Sequence, residues 1–522
     1  MKAYWCWLLS GVLAVSVVNC HSTKDITSAT QLQRWSGTLL VFARDSSLYR
    51  ISNGTVTDTL IVGLGTVERG DRVAPFKGTI PLSDVRYLQL RYGSFFRTVL
   101  AIGATAFVAS SLLEALGNYG TLESAGVDAY YYRSYGGGGG GGGGSCPVLT
   151  AWNGDEFRLQ GEAFSVAWGS ALEYASTHML PDLADEGGLL TTRIVNNRAE
   201  THYINSVRLL AIPAQKGGEV CVDTDGRFWP LREIEPPLVA VDHAGTDAVT
   251  RLSAGDGVRW RSDLRPSEDG GGFEDTLVTA FARGSDSRQV SFYIRAINTR
   301  ISAAVFAWAG RLLDDQSVRF VDRIEHDPGF AALLKEWMLS ASLRVDVWNG
   351  STWEEAGRIL PEANEVHFSR IVRLALPASA GKRVTIRLRT LCDVWEIDRV
   401  GLDWSPAAQL PATELPLVSA IDDRGEDRSG AIAGDDGRYA VTLPPQHITM
   451  MHAAPDAQPG MEWKYAMQVG GYLHEWLPDG GEGSPLSMLT GDARVEAVRL
   501  LLMNPQLVLP PIYASWREAR ER

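Results

Sequence analysis

Residues 136–144 form an unbroken run of nine glycines, closed by Ser145-Cys146-Pro147. Glycine has no side chain to bury and loses the most backbone entropy on ordering, so such a run makes neither a packed strand nor a stable helix. It serves as a mobile tether with an average span of roughly 15–18 Å. The chain is therefore expected to fold as separate units on either side of it.

The remaining composition limits what those units are. A chain of 522 residues exceeds a single core, so several domains are expected. Hydrophobic content of 45% with 21% charged residues is that of folded protein. The net charge of −13, with no basic stripe, excludes a nucleic-acid partner, because phosphate binding needs clustered Lys and Arg. Sixteen Trp and 53 Gly suit a turn-rich β protein with aromatic cores.

Residues 1–20 read as a targeting segment. Lys2 supplies a positive start, and Ala3 to Val18 is uncharged and too short to span a bilayer comfortably. The segment ends Val17-Val18-Asn19-Cys20. This resembles the lipobox of bacterial lipoproteins, with Asn19 where Gly or Ala is usual. The resemblance implies lipidation of Cys20, a cell-envelope location and, with His21 following the cysteine, export to the outer membrane.

Residues 21–34 are expected to be a spacer and residues 35–95 a small β-barrel or sandwich. Its strands begin at Thr38-Leu-Leu-Val-Phe-Ala43 and Ser47-Leu-Tyr-Arg-Ile-Ser52, with Asn53-Gly54 as a hairpin turn. Residues 96–117 hold a hydrophobic helix. From Thr98 to Leu113 there is no charge, and Ala101, Thr105 and Ala109 put small residues four apart. A thin transmembrane span, a helix lying in the leaflet beside the lipid, and a buried helix all fit residues 98–113. Residues 118–145 are linker and tether.

Beyond the tether three further segments are expected: a β domain over 146–310, a jelly-roll-like β domain over 311–410, and strands with a helical tail over 411–522. Asn153-Gly154 reads as a hairpin turn, and Ser291 to Asn298 alternates at period two. One helix, 327–341, interrupts the strands. Asp327 caps it, Pro328 opens it, and Phe330, Leu333, Leu334, Trp337 and Met338 share a face. The fold class is thus mainly β, with multiple β-sandwich domains.

Ser145-Cys-Pro, Thr201-His-Tyr-Ile-Asn205, Arg295-Ala-Ile-Asn-Thr299, Trp395-Glu-Ile-Asp-Arg-Val-Gly-Leu-Asp403 and Gly471-Tyr-Leu-His-Glu-Trp476 follow one another in the chain. In that order they resemble a group of large bacterial envelope proteins that carries no assigned activity. Residues 343–404 resemble a galactose-binding-like jelly roll, which implies a sandwich whose binding residues lie on loops.

Catalytic spacing is thin. There is no His-Glu-x-x-His and no Gly-x-Ser-x-Gly, and the glycine run meets a dinucleotide pattern only trivially. No cofactor or metal is expected. Asp223-Thr-Asp-Gly226 and Asp422-Asp-Arg-Gly-Glu-Asp427 read as solvated turns. Asp393, Glu396 and Asp398 offer paired carboxylates, with Glu396 and Asp398 on one strand face, but the favoured reading is unpaired polar caps or salt bridges to Arg389 or Arg399. Cys146, Cys221 and Cys392 remain after export, and buried, unbridged thiols are the favoured reading. Two functional classes stay open. One is a non-catalytic envelope lipoprotein whose tethered sandwiches bind a glycan or another surface protein. The other is a hydrolase with a site built from distant loops.

Overall fold

A computed structural model describes residues 21–25, 38–93, 146–476 and 491–503, with 486, 489 and 512, apart from short gaps within them. The targeting segment with Cys20, residues 98–113 and the glycine run lie outside the described residues. The chain divides into two compact units, Met1–Tyr119 and Gly120–Arg522.

The first unit is one antiparallel sheet. Its strands are β1 (His21–Asp25), β2 (Thr38–Ala43), β3 (Leu48–Val56), β4 (Leu60–Arg69), β5 (Arg72–Pro81) and β6 (Val85–Gly93), paired in the order β1-β6-β2-β3-β4-β5. β1 falls within the stretch expected to be spacer. Leu39, Val41, Ile51, Ile61 and Ile80 are buried together and form its core. Asn53-Gly54 is not a turn. β3 runs straight through it, with a register shift between Ile51 and Asn53 against β4. Gly54 is needed there for close approach, since a Cβ would lie 2.3 Å from the carbonyl oxygen of Val62.

The second unit opens with β7 (Val148–Trp152), β8 (Phe157–Glu162), β9 (Tyr174–Met179), β10 (Asp185–Glu186), β11 (Leu189–Val195) and β12 (Glu200–Gln215). A hairpin follows, β13 (Glu219–Val222) with β14 (Phe228–Leu231). Next come β15 (Val239–Asp242), the short helix α1 (Val249–Leu252), β16 (Trp260–Arg261), β17 (Glu274–Ala282) and β18 (Gln289–Asn298). Three helices interrupt: α2 (Ile301–Leu313), α3 (Ser317–His326) and α4 (Pro328–Ser340). Strands resume with β19 (Leu343–Trp348), β20 (Trp353–Ile359), β21 (Phe368–Ala375), β22 (Arg383–Leu391) and β23 (Trp395–Asp403). The unit closes with β24 (Thr413–Glu414), β25 (Leu417–Asp422), β26 (Ala440–Thr442), β27 (His447–Ala453), β28 (Met461–Glu475) and α5 (Asp492–Leu502).

These strands build two nested sandwiches. The outer one pairs β25-β27-β11-β7-β8 in one sheet and β24-β12-β28-β9 in the other, so its strands come from both ends of the unit. Its sheets meet where a Cβ on Gly161 of β8 would lie 2.9 Å from the His178 ring of β9. The inner one, inserted between β12 and β24, faces β15-β17-β22-β19-β20 with β16-β23-β18-β21. Phe281 and Phe292 bridge those two sheets edge to face, 6.2 Å apart. Strands thus pair across both of the limits at 310 and 410 that the sequence suggested.

The hairpin β13–β14 joins the sandwiches. Val222 and Phe228 pack on Ile212 and Ala466 of the outer sandwich, while Cys221 and Leu231 pack on Tyr293 and Ile371 of the inner one. The connection before β21 adds polar bolts. Glu365 donates its backbone N–H to Glu162, 3.0 Å, and its carboxylate meets Arg198. Arg370 reaches the Thr177 carbonyl at 2.6 Å and also meets Glu362.

The expected helix at 327 is α4. Asp327 accepts from the backbone of Phe330 at 3.1 Å, and Phe330, Ala331, Leu334 and Met338 are buried. Leu333 and Trp337 are half-buried at the rim of that face. Among the described residues no helix is long and apolar enough to cross a membrane.

Candidate functional site

β12 and β28 form the longest ladder of the unit, pairing from Glu200 with Glu475 to Gln215 with Met461. The register shifts once, between Ile204 and Ser206, which leaves Asn205 as the extra residue of a β-bulge. A bulge re-aims the side chain it carries. Gly471 lies opposite Ile204, where a Cβ would come within 2.2 Å of the Tyr203 carbonyl, so only glycine lets the strands close there.

Alternation along these strands puts Thr201 and Tyr203 on one face with Tyr472, His474 and Trp476. Tyr203 and Tyr472 stack, with centroids 4.5 Å apart and planes 7° from parallel. Tyr439, just before β26, stands edge-on to both, at 6.1 Å and 5.3 Å. The His474 ring lies 5.0 Å from Tyr203. Trp476 is 48% exposed and donates its indole N–H to Thr201 at 3.0 Å. Tyr203 and Tyr439 are half-buried, so aromatic surface remains open to solvent.

Three carboxylates surround the rings. Glu173 accepts from the Tyr439 hydroxyl at 2.7 Å and from the Asn205 amide at 3.0 Å. The same Asn205 nitrogen donates to Asp435 at 2.8 Å. Glu325, in the last turn of α3, lies 2.6 Å from His474 Nε2 and accepts from the Ser170 backbone N–H at 2.9 Å and from the Ser170 hydroxyl. Gly169 makes that approach possible, since a Cβ there would lie 2.7 Å from Glu325 Oε1.

The electrostatics follow from these contacts. Burial raises the Tyr439 and Tyr472 hydroxyls, and the nearby carboxylates push them further up. Burial would also raise Glu325, but the bonds from His474 and Ser170 outweigh it and hold the carboxyl below its ordinary range. The cavity beside the rings, lined by Trp168, Phe320, Leu473 and His474, holds about 10 Å³. The cluster is thus a surface of rings and carboxylates rather than a deep cleft.

Two stretches singled out in the sequence, Thr201–Asn205 and Gly471–Trp476, meet here as ladder partners. Two others, Arg295–Thr299 and Trp395–Asp403, also pair, on the inner sandwich. Glu173, Glu325, Asp435 and Tyr439 were not visible as site residues. Each is brought in by a turn, a helix end or a short strand far away in the chain.

The suspected carboxylate pair has other partners than expected. Glu396 binds Arg259 and Arg261, and Asp398 binds Arg295 at 3.2 Å and the Gly257 backbone at 2.8 Å. Arg389 instead pairs with Asp346 at 2.6 Å, and Arg399 lies over the Tyr293 ring. Register explains this, because Arg389 belongs to the other sheet and Arg399 faces the hairpin side.

Asp223 fills its own turn, accepting from Asp225, Arg227 and the Trp229 indole. Asp422 does the same with Arg424, Glu426 and Arg428. Among the described residues no group of three or more His, Cys, Asp or Glu is arranged to hold a metal ion. Cys146, Cys221 and Cys392 are buried and form no disulfide. Burial pushes the Cys146 thiol well up and Cys221 to about 12, which denies either a nucleophile's thiolate.

No protein-family model matches this chain, and no curated protein matches it. Among solved structures, one described as "CBM4 structure and function" aligns over 37% of this chain and 85% of its own, at 9% identity and a TM-score of 0.15. Another, "Structure of allantoicase", aligns over 42% of this chain and 78% of its own, at 14% identity and a TM-score of 0.17. At such TM-scores neither carries weight for function.

Proposed function

We propose that this protein is a lipid-anchored envelope protein that presents a non-catalytic carbohydrate-binding unit. The observation that carries the binding role is the cluster of half-buried Tyr203 and Tyr439 packed on buried Tyr472 and ringed by Glu173, Glu325 and Asp435. A sugar offers flat C–H faces to aromatic rings and hydroxyl donors to carboxylates, and this surface supplies both partners. The anchor in this reading is lipid on Cys20, with the glycine run giving the binding unit its reach from the membrane.

Hydrolysis is the weaker reading. A glycosidic pair needs one carboxyl held protonated as the acid, and the contacts on Glu325 act in the opposite direction.

The test is a glycan array probed with the full chain and with Tyr203→Ala and Tyr439→Ala. Binding to one glycan class is expected, weakened at least about tenfold in both variants while thermal midpoints show them folded. A silent array, or binding indifferent to both substitutions, sinks the carbohydrate reading at this cluster.

A further inference from the structure

We infer that the ligand of the tyrosine–carboxylate cluster carries a protonated amine, so that an amino sugar with a free ammonium group is preferred to its acetylated or neutral counterpart. This rests on the carbohydrate reading above and narrows it to a substrate class.

The first ground is the hydrogen-bonding inventory. Glu173 and Asp435 share one amide donor, the Nδ2 of Asn205, and Glu173 also accepts from the Tyr439 hydroxyl, although a carboxylate accepts at about four sites. Asn205 itself is 1% exposed and its Oδ1 has no hydrogen-bond partner. That oxygen belongs to the amide whose Nδ2 binds both carboxylates, so Asn205 has no further donor directed at them. The open capacity of the two carboxylates is therefore all acceptor. An ammonium group offers the carboxylates three donors and a positive charge, where a hydroxyl offers one donor.

The second ground is charge. Among the described residues neither Glu173 nor Asp435 has an ion-pair partner. The arginines nearest Asp435 in the chain are engaged elsewhere: Arg438 with Asp436 at 2.7 Å and Arg428 with Asp422 at 2.6 Å. Asp435 is exposed, so this negative potential reaches solvent.

The third is the rings. Tyr439, half-buried, holds its ring next to Glu173 through its own hydroxyl, and a ring face attracts a cation. The same surroundings repel a uronate or a sulfated sugar.

The test titrates the full chain calorimetrically with three tetramers of one linkage: glucosamine, N-acetylglucosamine and glucose. A chain of net charge −13 attracts any polycation, so each titration is repeated with Asp435→Asn, a change at an exposed position. The glucosamine tetramer is expected to bind at least about tenfold tighter than the other two. In Asp435→Asn the preference for the glucosamine tetramer over the glucose tetramer shrinks about tenfold, while the thermal midpoint shows the variant folded. Equal affinities for the three, or an undiminished preference in the variant, overturns the amine inference and leaves the carbohydrate reading standing. No binding of any tetramer, together with a silent array, overturns both.

Discussion

Glu475 carries a consequence of burial that a titration reads directly. Its Oε2 is buried with no hydrogen-bond partner. Burial, with the Glu200 carboxylate nearby, pushes its pKa up to about 8. A carboxyl whose folded pKa lies above its unfolded value stabilises the fold fully below the unfolded pKa of about 4.3, and that contribution is lost as pH rises through the folded value. Wild type should therefore lose stability against Glu475→Gln between about pH 5 and pH 8. Urea midpoints of both proteins at the two pH values give the answer, and parallel profiles would show that the carboxyl is solvated. At this scale the sequence is legible only where one residue type suffices. Asn153-Gly154 is the turn its dipeptide suggests, with Gly154 in the left-handed region at φ +98° and Asn153 Oδ1 accepting from Asp155 and Glu156. Asn53-Gly54 is the same dipeptide inside a strand, because the neighbouring strand approaches too closely for a side chain at Gly54. Nothing local tells the two apart. Asn205 is a similar case, because a bulge depends on the partner strand's register.

Elements were readable where their period and their caps agree. Asp327 at the start of α4 satisfies a backbone donor and an ion pair at once, with Phe330 N–H at 3.1 Å and Arg323 at 2.6 Å. It also ends α3, since its own N–H donates to the Arg323 carbonyl. Asp327→Ala should cost about 1 kcal/mol in a denaturation midpoint, the usual price of a lost N-cap. A change below a few tenths would mean that packing alone sets the corner between α3 and α4. A strand such as β22 announces itself by alternation, with buried Val384, Ile386 and Leu388 separated by half-buried Thr385 and Arg387. β28 does not. Its first half mixes Glu462, Trp463 and Lys464, and its second half packs on both faces, so neither a period of two nor one of 3.6 stands out. The aromatic face of the candidate site runs along that poorly marked strand. This is why the sequence alone presents its members as separate motifs and not as one surface.

At the scale of the whole molecule, nesting decides how the chain comes apart. The inner sandwich begins and ends inside the outer one, so the outer one is not a continuous stretch and closes only around the inner. The hairpin β13–β14 lends one face to each core, and Arg198–Glu365 and Arg370–Thr177 cross the same junction. Breaking that junction exposes Val222 and Phe228 on one side and Cys221 and Leu231 on the other, and strands the Glu362 and Glu365 carboxylates. Such coupling argues for one cooperative transition for the residues after the tether, where three β domains in series would give three. Calorimetry of the full chain should therefore resolve two transitions, one for each compact unit. Phe228→Ala, which empties the shared hairpin at its outer face, should lower the larger transition by the equivalent of about 3–5 kcal/mol without splitting it. If the variant's larger transition separates into two, the sandwiches hold themselves up independently and the hairpin is only a connector. If the wild-type chain already melts in three or more steps, the nested cores are not thermodynamically joined, whatever their topology.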